Sequence, residues 1–285
     1  MPYTVDVSFD MFYKEINLGG DHREIANTRR DDIVRTLSKK FKILESLSTG
    51  SIPKYTALKE HADLDVMIAL HYDHIKDKTP TQVLQSVRDA LAEWRTGARK
   101  NGQAVTLYYK TWPNVDIVPV SRVVDDAGNV LHYNVPNSNN DTWIKSNPKT
   151  HANRILEKSS DCGQNFRRII KMVKHWNLIH SDYLQSYHIE ALALKIFDKN
   201  LNDTPWNVFQ FFEKARPLLT SNLWYDTGYA DEYLTWSDRQ EVLKRFDNAI
   251  DKSRLAWVKT YKSNDHKGAI EIWKQIFGTK FPAYG

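Results

Sequence analysis

Two apolar runs of strand length each carry aspartate near their start: LDVMIAL over residues 64–70, led by Asp63 and holding Asp65, and VDIVPV over residues 115–120, holding Asp116. Each is too short for a helix and rich in β-favouring residues. Side chains alternate between faces along a strand, so Asp63 and Asp65 point the same way at the strand's edge. Asp116 opens the second run and is placed to lie beside them on a neighbouring strand. Three carboxylates within a few ångströms repel and raise one another's pKa unless hard divalent cations neutralise them. Mg²⁺ is the natural cation, with Mn²⁺ as a substitute. Two such ions, roughly 3.5 to 4 Å apart, lower the pKa of an attacking hydroxyl and stabilise a leaving pyrophosphate.

Eleven residues separate Gly50-Ser51 from Asp63. Glycine lets backbone N–H groups approach a triphosphate closely, and Ser51 adds a hydroxyl donor where a helical turn is expected to begin. Neither a lone Gly-Ser nor a lone Asp-x-Asp carries information; their conjunction does.

Gly-Ser, eleven residues, Asp-Leu-Asp, an apolar strand and a distant apolar-flanked Asp together resemble the motif of the polymerase-beta nucleotidyltransferase superfamily. Gly50, Ser51 and Thr56 are similar to the Gly-Ser-x-x-x-x-Thr of its cGAS/DncV-like and oligoadenylate synthetase branch. Tyr55 departs from the pattern, because many relatives carry glycine before the threonine. Further on, NFRRIIKMVKHWN (165–177) and SYHIE (186–190) resemble that branch's helix with a basic residue before an aromatic-Asn pair and its Ser-Tyr-x-x-Glu helix start. The regions TW…NP (142–148) and WKQIFGTKFP (273–282) are similar to bacterial members, so the resemblance covers residues 45–285.

The resemblance implies an α+β fold: a polymerase-beta-like mixed sheet with flanking helices, plus a helical C-terminal domain. It implies a metal-dependent nucleotidyltransferase that makes a cyclic di- or trinucleotide messenger from ATP, GTP or other NTPs, in anti-phage signalling. Asp63, Asp65 and Asp116 would be the catalytic and metal-binding residues, and Gly50, Ser51 and Thr56 would bind nucleotide. Lys174 and Ser186 would hold the donor triphosphate and Tyr187 would stack on a base. Ring closure rests on the resemblance alone. Addition of nucleotides to an RNA end or a protein, and an idle nucleotide- or RNA-binding sensor, are the alternatives.

Organisation follows the periodicity. A helix is expected over 22–47, with Ile33, Leu37, Phe41 and Leu44 on one stripe, and another over 80–95 with Val83, Val87, Leu91 and Trp94 inward. The second opens on Thr79, Pro80 and Gln82, which suit a cap, first helical position and capping-box partner. Strands are expected over 64–70, 105–109 and 115–120, and a hairpin with a long connection over 125–148. A seam there separates a catalytic domain, 1–150, from a helical nucleotide-binding domain, 151–285. In the latter, helices are expected near 165–178, 187–199, 206–218, 238–261 and 266–277, the last closed by Gly278. Phe166, Ile169, Ile170, Val173 and Trp176 form the buried face of the first, with Lys171 and Lys174 off it.

One cysteine, Cys162, excludes a disulfide framework and a Cys-rich zinc module. No run approaches the length of a membrane span, and the N-terminal stretch lacks the regions of an export signal, so a cytoplasmic protein without membrane partners is expected. A net charge of +5 favours polyanionic ligands only weakly. Arg29, Arg30, Arg35, Lys39, Lys40 and Lys42 leave a nucleic-acid activator open, although such runs are usually solvated faces. His71, Asp73 and His74 read as surface, and most of the nine tryptophans as core. After Pro282 the tail is expected to be exposed and mobile, which with the resemblance makes Gly285 a candidate for linkage to a conjugating partner.

Overall fold

In a computed structural model the described residues are 3–19, 21–59, 61–226 and 228–285. The chain divides into two compact units: residues 18–55 with 60–152, and residues 1–17 and 56–59 with 153–285. No helix among the described residues is long and apolar enough to cross a membrane.

The first unit is built on a sheet of seven strands among the described residues. These are β1 (Ile43–Thr49), β2 (Leu64–Leu70), β3 (Arg99–Asn101), β4 (Ala104–Leu107), β5 (Val115–Val124), β6 (Val130–Asn137) and β7 (Thr142–Ser146). The order is β1-β2-β5-β4-β3, and β6 joins the far half of β5 and pairs with β7. Only β2 and β5 run parallel. A parallel pair needs a crossover, and α3 (Pro80–Trp94) lies in this one. β2 is buried along nearly its whole length, which is why it reads as an unbroken apolar run. Thr79 and Gln82 close the expected capping box, with Thr79 N–H to Gln82 Oε1 at 2.9 Å.

Two expectations need correction here. The helix expected over 22–47 is α2 (Asp21–Leu37), and residues 43–49 are β1. The stripe continues by coincidence through Phe41 and Leu44, but ILESLST pairs with β2 from Ile43↔Leu70 to Thr49↔Asp65, and pairing overrides local periodicity. Trp94, at the end of α3, is 42% exposed instead of inward.

The second unit is helical: α1 (Val5–Ile16), most of α4 (Pro148–Cys162), α5 (Asn165–Ile179), α6 (Ser186–Ile196), α7 (Thr204–Leu218), α8 (Trp236–Ser263) and α9 (His266–Phe277). A small hairpin, β8 (Trp224–Tyr225) and β9 (Gly228–Tyr229), precedes α8. The α5 stripe is buried as expected, and Gly278 caps α9 at φ 73°. α1 and α4 have no counterpart in the periodicity reading. Val5, Phe9, Phe12 and Ile16 nevertheless repeat at helical spacing and are all buried, each worth about 1.5–3 kcal/mol of apolar transfer. Phe9 meets Trp273 edge-on at 4.9 Å and Phe12 lies 4.7 Å from Phe277.

Candidate active site

β2 and β5 are parallel neighbours in a register that sets Asp65 directly beside Asp116. In-register residues on adjacent strands share a face, with strands about 4.8 Å apart. Asp63 lies just before β2, two positions from Asp65, and Leu64 N–H reaches the Asn114 carbonyl at 2.9 Å, extending the pairing. The three aspartates therefore gather at one end of the parallel pair. Burial, then the charges of Asp116 and Asp63, push Asp65 up to about 6, with Lys54 opposing. Asp63 is likewise raised by burial and by Asp116, with a hydrogen bond from Asn114 opposing. Asp116 accepts a hydrogen bond from Thr106 Oγ1 at 2.5 Å.

On the other side of β2, Thr49 pairs with Asp65 and the chain turns at Gly50, φ 70°. A Cβ there would stand 1.7 Å from Asp65 Oδ2. The glycine thus vacates the space that the Asp65 carboxylate fills, a role beyond the backbone approach expected of it. Ser51 is half-buried at the start of a turn over residues 51–55, in which Tyr55 N–H bonds the Ile52 carbonyl at 3.1 Å. Tyr55 sits at φ 61°, in the left-handed region that glycine adopts freely, which fits the glycine that the resemblance leads one to expect there.

An oxygen-only donor set that is partly buried at Asp65 and Asp116, open at Asp63 and beside a backbone cradle suits a hard divalent cation. Among the described residues no group of three or more His, Cys, Asp or Glu side chains is drawn close enough together to hold a metal ion as it stands. His71, Asp73 and His74 form a surface cluster around a short helical turn, with Asp73 also 3.4 Å from Lys76.

The remaining candidates lie in the helical unit. Thr56 is fully buried and donates from Oγ1 to Glu190 Oε1 at 2.6 Å. Lys174 is 5% exposed and bonds the same Glu190 oxygen at 2.7 Å and Thr56 Oγ1 at 3.2 Å. Lys171 is buried as well, bonded to Asn17. Neither lysine is a solvated charge beside the apolar stripe. Ser186 is exposed at the first position of α6, and no side chain caps that helix start. Tyr187 is half-buried, its phenol pushed up by burial and by Tyr225, whose ring meets it edge-on at 5.4 Å. Arg154 lies over the Tyr225 ring at 5.3 Å and pairs with Asp226 at 3.2 Å. Gly285 is exposed, within 3.6 Å of the Tyr3 ring if given a Cβ.

Lys54, Thr106 and Asn114 were given no role by the sequence reading, and Glu190 entered it only as the last residue of the Ser-Tyr-x-x-Glu motif. Thr106 and Asn114 had a weak signal, being polar residues that flank the strand pair carrying Asp116. On α2, Arg30 pairs with Asp31 at 2.8 Å, Arg35 with Asp32, and Arg29 caps the carbonyls of Thr111 and Pro113, so much of its basic character is internally matched.

The chain is 22% identical to a probable cyclic nucleotide synthase of Bacillus cereus (strain VD146), across 100% of this chain and 99% of that one. It is 21% identical to the CBASS oligonucleotide cyclase CdnC of Escherichia coli (strain KTE188), over 93% of each. Among solved structures, that of E. coli MS115-1 CdnC with ATP superposes with a TM-score of 0.78 at 17% identity, covering 99% of both chains. That likeness bears out the α+β fold, the polymerase-beta-like sheet with flanking helices. The profile of the Second Messenger Oligonucleotide or Dinucleotide Synthetase domain matches residues 3–159, more than half of the 285. The chain therefore belongs to the second messenger oligonucleotide or dinucleotide synthetase family.

Proposed function

We propose that this protein joins nucleoside triphosphates, ATP or GTP among them, into a cyclic di- or trinucleotide signal in anti-phage defence, in the cytoplasm where those substrates are held. The in-register pairing of Asp65 with Asp116 next to the Gly50 cradle carries the reading. A hydroxyl of one nucleotide attacks the α-phosphorus of a second, the bond to the β-phosphate oxygen breaks and pyrophosphate leaves. Repeating the step on the linear product closes the ring.

Asp63, Asp65 and Asp116 would hold the divalent cations, two Mg²⁺ by family resemblance with Mn²⁺ able to substitute. Bound there, the cations supply charge neutralisation for these carboxylates, a lowered pKa for the attacking hydroxyl and stabilisation of the leaving pyrophosphate. Gly50 keeps room for Asp65, and backbone N–H groups of the turn with the Ser51 hydroxyl bind the triphosphate. Ser186, exposed at the uncapped start of α6, suits a phosphate, and Tyr187 orients a base. Residues 1–150 carry the catalytic role and 151–285 the nucleotide-binding role. Lys174 serves phosphate binding less directly than the resemblance implies, because its ammonium is engaged by Glu190.

Incubation with all four labelled NTPs and Mg²⁺ or Mn²⁺, followed by phosphatase, tests the reading. A small resistant product is expected, and label on RNA or protein would point to transfer onto a macromolecule. Asp63→Asn with Asp65→Asn is expected to abolish pyrophosphate release and leave the circular dichroism spectrum intact. Full activity in that variant overturns the assignment. Gly285 remains our candidate for linkage to a conjugating protein, and its test is a higher-mass adduct that Gly285→Glu removes.

A further inference from the structure

Glu190 has no role in the reaction as set out above, yet its carboxylate is fully buried and one oxygen holds two donors, Thr56 Oγ1 at 2.6 Å and Lys174 Nζ at 2.7 Å. Lys174 also reaches the Thr56 hydroxyl at 3.2 Å and its carbonyl at 3.4 Å, so three side chains from three stretches of the chain close a ring. Such a ring is a poor way to gain stability. Both charges lose their hydration, and apolar residues of similar volume commonly fold as well or better. A buried, fully bonded polar cluster does impose direction, because each donor must stay aimed at its acceptor.

The group being aimed is Thr56, five residues after Ser51. It is the covalent continuation of the turn over residues 51–55, and the residues after it are also pinned. Lys59 N–H bonds the Ile16 carbonyl at 2.9 Å, and Leu58 bridges to Asn17. With its hydroxyl donated inward and no exposed surface, Thr56 is poorly disposed to touch a nucleotide itself.

We propose that Glu190 is a positioning residue for nucleotidyl transfer: its carboxylate, neutralised by Lys174, fixes Thr56 and with it the exit of the Gly50-Ser51 turn. The role rests on the function proposed above and deepens it. Fixing residue 56 limits the arrangements open to the turn, so its N–H groups and the Ser51 hydroxyl stay ready for the triphosphate. Lys174 acts through Glu190, which explains a buried ammonium on a helix whose other inward residues are mainly apolar.

The test is steady-state pyrophosphate release by the full chain over a range of NTP concentrations, with thermal melts alongside. Thr56→Val removes only the hydroxyl and keeps the Lys174–Glu190 pair. It is expected to lower kcat about tenfold or more, with little change in KM or melting temperature, since small misplacements near a reacting centre can cost up to ~10²-fold. Thr56→Ser should restore most of that rate. Glu190→Gln should slow the enzyme too, and the double variant Thr56→Val/Glu190→Gln should be no slower than the slower single variant, because both act through one contact. Multiplying losses, a Thr56→Val effect confined to KM, or wild-type kcat in Thr56→Val would overturn the role. If Glu190→Gln does not fold, the Val and Ser variants of Thr56 decide alone. A wild-type protein that releases no pyrophosphate under any condition overturns the function itself, whereas an active wild type with unaffected variants overturns only the positioning.

Discussion

At the scale of single residues the geometry is governed by what Asp65 requires. Its pKa is raised from the ordinary carboxylate range to about 6, chiefly by burial. The folded state therefore holds this proton more tightly than the unfolded chain, and the resulting stability, complete below about pH 4, is lost as pH rises through about 6. In chelator, Asp65→Asn should melt progressively higher than wild type as pH is raised from 4 to 7, and the gap should then level off. A gap that does not change with pH would show that Asp65 is not held in this way. Gly50→Ala places a methyl where the Asp65 carboxylate sits and at a positive φ, so a rate loss of about 10²-fold with a folded protein is expected. The gathering of Asp63, Asp65 and Asp116 at one end of a strand pair was legible in the sequence because strand alternation and flanking apolar residues are local signals. The Glu190–Lys174–Thr56 ring was not, since its members stand 16 and 118 residues apart and helical spacing alone set Lys174 off the apolar stripe.

At the scale of elements, the turn over residues 51–55 holds the clearest strain. A tyrosine in the left-handed region costs about 1–2 kcal/mol, part of which glycine regains in the folded state and returns as unfolded-chain entropy. Tyr55→Gly is therefore expected to change stability by no more than about 1 kcal/mol in urea titration, where an ordinary half-exposed Tyr→Gly in regular structure would destabilise clearly. Elements with strong apolar stripes, such as α3, α5 and α9, were legible to within a residue or two, α3 and α9 also having capping side chains at their starts. β1 was not. Its residues continue the apolar spacing of α2, and only the partner strand β2 makes them extended, information that lies outside any local window. α1 shows the converse: Val5, Phe9, Phe12 and Ile16 form a real stripe, but the segment is short and its partners lie far along the chain.

At the scale of the whole molecule, the helical unit is assembled from three separate stretches of sequence, 1–17, 56–59 and 153–285. A seam near residue 150 describes only one of the places where the chain passes between units, and nothing local in the first 17 residues reveals which unit they join. α1 is integral to the helical core: Phe12 is fully buried and packs on His175 at 5.3 Å and Phe277 at 4.7 Å. Phe12→Ala should cost about 3–5 kcal/mol by chemical denaturation. A loss under 1 kcal/mol would mean that α1 merely rests on that unit.

That discontinuity also sets a schedule for the ribosome. Trp273, Phe277 and Phe281, which receive Phe9, are made some 260 residues after α1. At about 5–20 residues per second, Phe9 waits on the order of tens of seconds for these partners, while Phe12 meets His175 of α5 sooner. Until then the stripe of α1 is only partly covered, and the helical core closes only as synthesis reaches α9 and the aromatics beyond it.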